Sequence, residues 1–383
     1  MRIGIDVTML QIREGRHGIG SYLRGLLQAL ARQGPEHEYN LLAPASPAFE
    51  LPPLPERFRP TVLRVPSLGR GRALLSHQLA LPLAARRLAL DVLHVPGVSF
   101  NPSMPSIPLW QPVPVVVTVH DLIPLLVPEA SLSRRRHRLF YQLMLGACAR
   151  AAHVVCDSEA TRRDLIRHLG LPTGRVSVVP LAADPLFTPE PAPAEDLRAG
   201  GLGAEGFVLH VGGPAPVKNL PAVLAAMAAL WAEGRLTAHV VLVTPLSLDP
   251  VALCPAVAAH RERVHVLEGV AQRFLRWLYQ HALCLAFPSL NEGFGLPVLE
   301  AMASGCPVIA SNAGALPEVG GEAAVYVDPR SPASLERALA EICANPGRRA
   351  AAREAGLSRA REWSWERTAA GTLAVYEMVG WRS

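Results

Sequence analysis

The chain has 383 residues, half of them hydrophobic, 18% charged and 5% aromatic, with a formal net charge of +5. At roughly 150 residues per domain this is two or three domains with large cores, which excludes disorder for most of the length. Sparse aromatics disfavour a base-stacking surface for single-stranded nucleic acid, and no apolar run reaches the ~18 residues of a membrane-spanning helix.

The first residues run straight into Arg-Ile-Gly-Ile-Asp, with no basic segment leading an apolar one, so a cytosolic protein is expected. Arg2–Val7 predicts a strand, and 18–33 a helix stopped by Gly34-Pro35. Short apolar runs follow at 39–43, 92–95, 115–119, 154–157 and 176–180. Helices are predicted between them over 74–90, 133–150 and 159–169. Near-continuous Val/Ile/Leu runs suit a parallel sheet covered on both faces. Four prolines and four glycines between Pro185 and Gly206 mark a linker. The alternation then restarts, with strands predicted at 207–211, 240–244, 264–267, 283–287, 308–311 and 324–327. Helices are predicted at 219–234, 331–344 and 346–362. The reading is an α/β chain of two doubly wound, Rossmann-like domains facing across a cleft, with ligands at the carboxyl ends of strands. Expected boundaries are 1–185, a linker over 186–206, 207–362, and a closing amphipathic segment over 363–383.

The six cysteines form no CxxC and read as buried free thiols. His153 with Cys156 and His281 with Cys284 lie far apart in the chain, which argues against a zinc site. Charge is divided unevenly. Residues 1–185 hold 21 arginines against 13 acids, a net +8, and residues 186–383 hold 16 cations against 19 acids, a net −3. Arg134, Arg135, Arg136, Arg138 and Arg150 lie on the predicted 133–150 helix, beside Leu139, Phe140, Leu143 and Met144. That pattern fits either a solvated face over a buried apolar stripe or contact with an anionic membrane. No recognition motif accompanies the charge, so no nucleic-acid partner is expected. Of the 37 cations only Lys218 is a lysine. A compact ammonium suits a tight phosphate pocket.

Two stretches carry chemistry. In Phe207-Val-Leu-His-Val-Gly-Gly-Pro-Ala-Pro-Val-Lys-Asn219, a strand runs through Gly212 and Gly213 towards a helix opened by Lys218 and Asn219. The glycines let backbone approach a ligand, and Lys218 can reach a phosphate at that helix N-terminus. In the stretch 288–307, Glu292 and Glu300 stand eight apart, Gly293 and Gly295 flank Phe294, and Pro297 opens a short helix ended by Gly305. Backbone N–H groups from Phe294 to Leu296 would suit a diphosphate, and two carboxylates would accept from sugar and ribose hydroxyls. Gly18-Ile-Gly-Ser-Tyr-Leu23 is a broken GxGxxG, and no acid closes the second strand, which disfavours a nicotinamide dehydrogenase. His120 ends an apolar strand and is a site candidate, whereas His94 reads as a core histidine. No Asp-x-Asp occurs. Lys218 and helix N-termini are therefore expected to neutralise a diphosphate without metal or cofactor.

The stretch Glu292-Gly-Phe-Gly-Leu-Pro-Val-Leu-Glu300 resembles the Glu-x7-Glu signature of the family 4 retaining glycosyltransferases (glycosyl transferases group 1), which have the GT-B fold. Arg2-Ile-Gly-Ile-Asp, Gly18-Ile-Gly-Ser-Tyr22, Val117-Thr-Val-His-Asp-Leu-Ile-Pro124, Asp157-Ser-Glu and Trp363-Ser-Trp-Glu366 look like further landmarks in family order. The resemblance implies a C-terminal helix crossing back to the N-terminal domain. It implies metal-independent, retaining transfer of a hexosyl unit, mannosyl or similar, from a nucleotide-diphospho-sugar such as a GDP- or UDP-sugar. The acceptor would be a hydroxyl on a glycan or lipid-linked saccharide. The setting would be cytoplasmic, with peripheral contact to the inner membrane face through 133–150 as a further expectation. Lys218 and the amides of Phe294, Gly295 and Leu296 would hold the diphosphate, within a donor pocket that includes Gly212, Gly213, Asn219 and Gly293. Glu292 would face the sugar, Glu300 would bind ribose, Gly20 would lie against the phosphates, and His120 would sit near the reacting sugar. His120, Lys218 and Glu292 are the expected catalytic residues. The family often has Arg just before the lysine or after the first glycine. Here Val217 and Gly213 stand there, so either a thinner phosphate clamp or another arginine reaching in is expected. Base recognition is expected from backbone near Gly269-Val270. An epimerase or phosphorylase of this fold, or a non-catalytic sugar-nucleotide scaffold, stays open as an alternative, although a phosphorylase would need a second lysine for pyridoxal.

Overall fold

The structure, a computed structural model, describes residues 1–11, 18–33, 37–44, 51–63, 75–98, 107–127, 135–191 and 206–380. Contacts divide the chain into two units, Met1–Leu181 with Ser364–Ser383, and Ala182–Trp363.

In the first unit, β1 (Arg2–Asp6), β2 (Glu38–Pro44), β3 (Phe58–Leu63), β4 (Val92–Val95), β5 (Val115–Val119), β6 (His153–Cys156) and β7 (Val176–Val178) form a parallel sheet. Their order is β3-β2-β1-β4-β5-β6-β7. Every residue of β4, β5 and β6 is buried, as apolar runs covered on both faces must be. Helices Ile19–Arg32 and Trp365–Gly380 pack together, with the Tyr22 and Trp365 rings 6.5 Å apart. Helices Leu81–Arg87, Arg135–Arg150 and Glu159–Leu169 instead share the core of Leu81, Tyr141, Met144 and Leu165. This split follows from right-handed crossovers, because the chain runs one way along the sheet to β3 and the other way from β4 onward.

The second unit holds β8 (Phe207–Val211), β9 (His239–Thr244), β10 (Val264–Glu268), β11 (Cys284–Phe287), β12 (Val308–Ser311) and β13 (Ala324–Val327). They form a parallel sheet in the order β10-β9-β8-β11-β12-β13. Helices Leu220–Ala232 and Pro332–Ala344 bury Leu224, Met227, Leu335 and Leu339 against it. The strand order reverses between β1 and β4 in one sheet, and between β8 and β11 in the other. Such switch points are where doubly wound sheets open a crevice for ligands.

Two differences from the sequence expectation stand out. Strand β3 was not anticipated: it is an edge strand buried only at its two ends, with a solvated middle and a proline at its third position, so it presents no apolar run. The expected 133–150 helix spans Arg135–Arg150 among the described residues, and Ser133 and Arg134 lie outside them. Its buried stripe is also rotated. Tyr141, Met144, Leu145, Ala147 and Cys148 face the core, while Leu139 and Leu143 are 71% and 48% exposed. The sheet takes the stripe that starts at Tyr141 and leaves its apolar neighbours outside. Most of the expected linker, residues 192–205, lies outside the described residues. The cysteines are free thiols, five buried and Cys343 partly so.

Candidate active site

In the second unit the candidate residues gather where the sheet reverses. Gly212 and Gly213 follow β8, and Lys218 and Asn219 close the turn before helix Leu220–Ala232. Asn219 Nδ2 donates to the carbonyls of Pro288 (3.1 Å) and Pro329 (2.8 Å), tying this turn to the ends of β11 and β13. Val217, where an arginine was a family alternative, is buried, and its carbonyl accepts the Leu290 N–H at 2.8 Å. Lys218 Nζ donates to Glu292 Oε1 at 2.7 Å and lies 5.2 Å from the centre of the Phe287 ring. Beneath them His210 Nδ1 donates to the Ala286 carbonyl at 2.9 Å, and burial pushes His210 down to about 4, so its ring is neutral.

The loop after β11 leads into helix Leu296–Ala303, whose start no side chain caps and whose first turn holds no acid. Gly295 sits there at φ +104°, and a Cβ on it would lie 2.5 Å from Leu316 Cδ2, so only glycine fits. Gly314 holds the loop from below. Its own φ is +59°, and a Cβ would meet the Glu292 carbonyl at 2.5 Å, while the Ala315 N–H donates to that carbonyl at 2.9 Å. The result aims the positive end of a helix at the space beside Glu292 and Lys218, a ready anion site. Phe294 is buried edge-on against Trp363, so Gly293 and Gly295 are held by a packed ring. Glu300, in the same helix, accepts from Tyr279 Oη at 3.2 Å. Burial raises Glu300 to about 7, with the Tyr279 bond opposing and the Asp184 charge adding to the rise.

In the first unit, Gly20 is buried in the opening turn of helix Ile19–Arg32, which again has no side-chain cap and no acid. His120 follows β5, and its Nδ1 donates to Asp157 Oδ2 at 2.7 Å. Burial works against the imidazolium, but the Asp157 carboxylate outweighs it, with Asp121 helping, and His120 is raised above its ordinary value. The Tyr22 ring meets His120 edge-on at 5.0 Å. His94 is a core residue, as its sequence suggests, with Nδ1 2.6 Å from Tyr376 Oη and Nε2 2.7 Å from Thr118 Oγ1. Asp6 closes β1 with hydrogen bonds to Thr8 and to buried His77, which hold its carboxyl below the ordinary range despite its burial.

Sequence reasoning named neither Tyr279 nor Gly314, and gave Asp157 and His210 no role. A charged residue directly after the buried strand β6 was the available signal for Asp157. Among the described residues no group of three or more His, Cys, Asp or Glu side chains is placed to hold a metal ion.

Comparison with known proteins agrees with this architecture. Residues 16–185 match Glycosyltransferase Family 4, and residues 205–345 match Glycosyl transferases group 1. The chain belongs to the family 4, group 1 glycosyltransferases. This glycosyltransferase is 29% identical to the O-antigen chain mannosyltransferase B of Escherichia coli, over 69% of its own length and 70% of that protein. It is 31% identical to the MMP alpha-(1->4)-mannosyltransferase of Mycolicibacterium hassiacum, over 63% of its own length. It spans 58% of that second relative. Among solved structures, sucrose-phosphate synthase from Thermosynechococcus elongatus superposes with a TM-score of 0.77 at 20% identity, covering 100% of both chains. Anabaena HepE in complex with UDP and glucose superposes at 0.70 with 18% identity, over 99% of this chain and 100% of the other. The shared fold is GT-B. No helix of the described residues is long and apolar enough to cross a membrane.

Proposed function

We propose that this glycosyltransferase moves a hexosyl unit, mannosyl foremost, from a nucleotide-diphospho-sugar to a hydroxyl of a glycan or lipid-linked saccharide. Transfer retains anomeric configuration, needs no metal or cofactor, and takes place in the cytoplasm. The observation that carries this reading is the convergence of the single lysine, Glu292 and an uncapped helix N-terminus where β8 and β11 part. One cation and one helix dipole suit two phosphates, and a carboxylate beside them suits sugar hydroxyls.

In this reading Lys218 and the amides of Phe294, Gly295 and Leu296 hold the diphosphate and stabilise charge on it as the sugar leaves. Gly212, Gly213 and Gly293 let backbone approach, and Asn219 fixes the turn that presents Lys218. Glu292 accepts from the transferred sugar and Glu300 from ribose. The family resemblance assigns Gly20 to donor phosphate and His120 to the reacting sugar. The acceptor oxygen bonds to C1 on the face the phosphate leaves, the C1–O bond breaks, and the acceptor's proton passes to the departing phosphate. The names of the two mannosyltransferase relatives support mannose. The UDP and glucose bound in HepE keep uridine donors in view. The absence of Asp-x-Asp from the sequence supports metal independence.

The test is nucleoside diphosphate release from GDP-mannose, UDP-glucose and related donors, with and without glycan acceptors and EDTA, with the product anomer read by NMR. Acceptor-dependent release giving an α-linked product, unchanged by EDTA, is expected. Loss of turnover on chelation, restored by Mg²⁺ or Mn²⁺, rejects metal independence. Donor interconversion without transfer identifies an epimerase, and donor binding without turnover a scaffold.

A further inference from the structure

We propose that one face of the first unit is a docking surface for an anionic lipid bilayer. Helix Ser76–Ala80, continuing as Leu81–Arg87, and helix Arg135–Arg150 bury Leu81, Ala85, Tyr141 and Met144 in one core, so they lie on the same side of the sheet. The segment 107–111 bridges them. Gln78 Nε2 donates to the Ile107 carbonyl, and Gln78 Oε1 accepts the Leu109 N–H, each at 2.9 Å. Gln111 Nε2 donates to the Ala147 carbonyl at 3.1 Å, and Arg150 Nη2 to the Leu109 carbonyl at 3.4 Å.

The outer side of this layer is both apolar and cationic. Eight large hydrophobic side chains are exposed among the described residues, and six of them, Leu79, Leu83, Leu109, Trp110, Leu139 and Leu143, stand on these three segments. Exposed hydrophobic side chains scattered singly are ordinary, but five leucines and a tryptophan on one layer form a patch. Arg86, Arg87, Arg135, Arg136, Arg138 and Arg150 are exposed on the same helices. Residues 75–90, 107–120 and 135–156 contain no Asp or Glu.

The charge decides among occupants. A second copy of this face would bring arginine against arginine, and a nucleic acid would leave the leucines in water. An anionic bilayer satisfies both sets: arginines meet headgroups, leucines enter the acyl boundary, and Trp110 suits the interface. The proposal goes beyond the transfer chemistry and rests on the first unit alone. It stands or falls separately from the roles given to Lys218, Glu292 and Glu300.

Co-sedimentation of the full chain with phosphatidylglycerol-containing and pure phosphatidylcholine vesicles tests it. Binding to the anionic vesicles alone is expected, weakening from 50 to 500 mM salt. Arg135→Ser/Arg136→Ser/Arg138→Ser should lower partitioning roughly a hundredfold. Leu139→Ser/Leu143→Ser, and separately Leu79→Ser/Leu83→Ser, should also lower it, although neither changes charge. All these positions are exposed, and an unchanged melting temperature checks that each variant is folded. No binding to anionic vesicles at low salt overturns the proposal. Undiminished binding by both leucine variants overturns it in favour of simple polyanion adhesion. A dimer in sedimentation velocity that dissolves in Leu139→Ser/Leu143→Ser overturns it in favour of an interface between copies.

Discussion

The 2.7 Å hydrogen bond from Lys218 Nζ to Glu292 Oε1 joins the turn after β8 to the loop after β11, the two strands between which the second sheet reverses. Glu292 is buried and the two side chains are only 25% and 10% exposed, so removing Lys218 leaves a carboxylate with little water to replace its partner. Truncation of the lysine should therefore cost some stability as well as turnover, whereas Glu292→Gln removes the buried charge and should act mainly on turnover.

Lys218→Ala should lower turnover roughly 10²–10³-fold, the range for losing one stabiliser of developing charge. Its melting temperature should fall as well, because Glu292 loses its partner, so turnover is compared well below the transition. Lys218→Arg should also impair, since a planar fork cannot occupy the place of a point ammonium above Phe287. Steady-state kinetics with the donor found in the panel decides. Turnover in Lys218→Ala near that of the parent would remove Lys218 from the chemistry.

The two glutamates should separate by ligand. Glu292→Gln should leave nucleoside diphosphate affinity nearly intact while cutting transfer, because its carboxylate is assigned to the sugar. Glu300→Gln should weaken nucleoside diphosphate and whole donor alike. Isothermal calorimetry reads both, and the reverse pattern would exchange the roles.

Glu300 also predicts a pH dependence. Its carboxyl is raised by burial from 4.5 to about 7. Between those values the unfolded chain ionises while the folded one keeps its proton, so folding is progressively disfavoured as pH rises. The loss is complete above about 7 and amounts to 1–3 kcal/mol in order of magnitude. Glu300→Gln should thus melt higher than the parent at pH 8 and equally at pH 4. If ionised Glu300 accepts from ribose, nucleoside diphosphate affinity should rise roughly tenfold from pH 6 to pH 8, following the ionised fraction. That slope should be absent in Glu300→Gln. A slope common to both proteins would assign it to the nucleotide's own phosphate.

Both sheets were legible in the sequence because interior parallel strands are short apolar runs bounded by Pro, Gly or Asp. Strand β3 was not, since Phe58-Arg-Pro-Thr-Val-Leu63 is half solvated and reads as loop. In the site, Lys218, Glu292 and Glu300 were visible as local patterns. Their supports were not. Tyr279 lies on another helix 21 residues before Glu300, and Gly314 lies 22 residues beyond Glu292. Contacts closed by tertiary packing leave no periodic trace in the chain.

His120 and Asp157 form a pair whose function depends on orientation. Asp157→Asn keeps the shape and removes the charge, so the His120 pKa should fall by about a unit or more. The sign follows from the raised value. The pair's contribution is full below the ordinary histidine range and fades as pH climbs through the raised pKa, so Asp157→Asn should destabilise more at pH 5 than at pH 9. Histidine titration by NMR measures the shift directly, and an unmoved His120 resonance would detach Asp157 from it.

The C-terminal helix Trp365–Gly380 belongs to the first unit by specific contacts. Trp365 packs so closely on helix Ile19–Arg32 that a Cβ at Gly25 would lie 2.3 Å from its ring. Thr368 Oγ1 donates to the Pro180 carbonyl at 2.7 Å, and Tyr376 Oη lies 2.6 Å from His94 Nδ1. Burial pushes His94 down to about 3, so it is a neutral ring whose two nitrogens need partners. Tyr376→Phe strands one of them and should cost about 1–3 kcal/mol. Removing residues 363–383 takes away Trp365, Val375, Tyr376 and Val379 together, each buried, at about 1.5–3 kcal/mol for a large apolar side chain. That loss rivals the whole stability of a domain of this size. Calorimetry of the truncated chain should show the melting transition of the first unit lost or strongly lowered, while a transition from the second unit persists. Two transitions at their original temperatures would show that the first sheet holds without this helix.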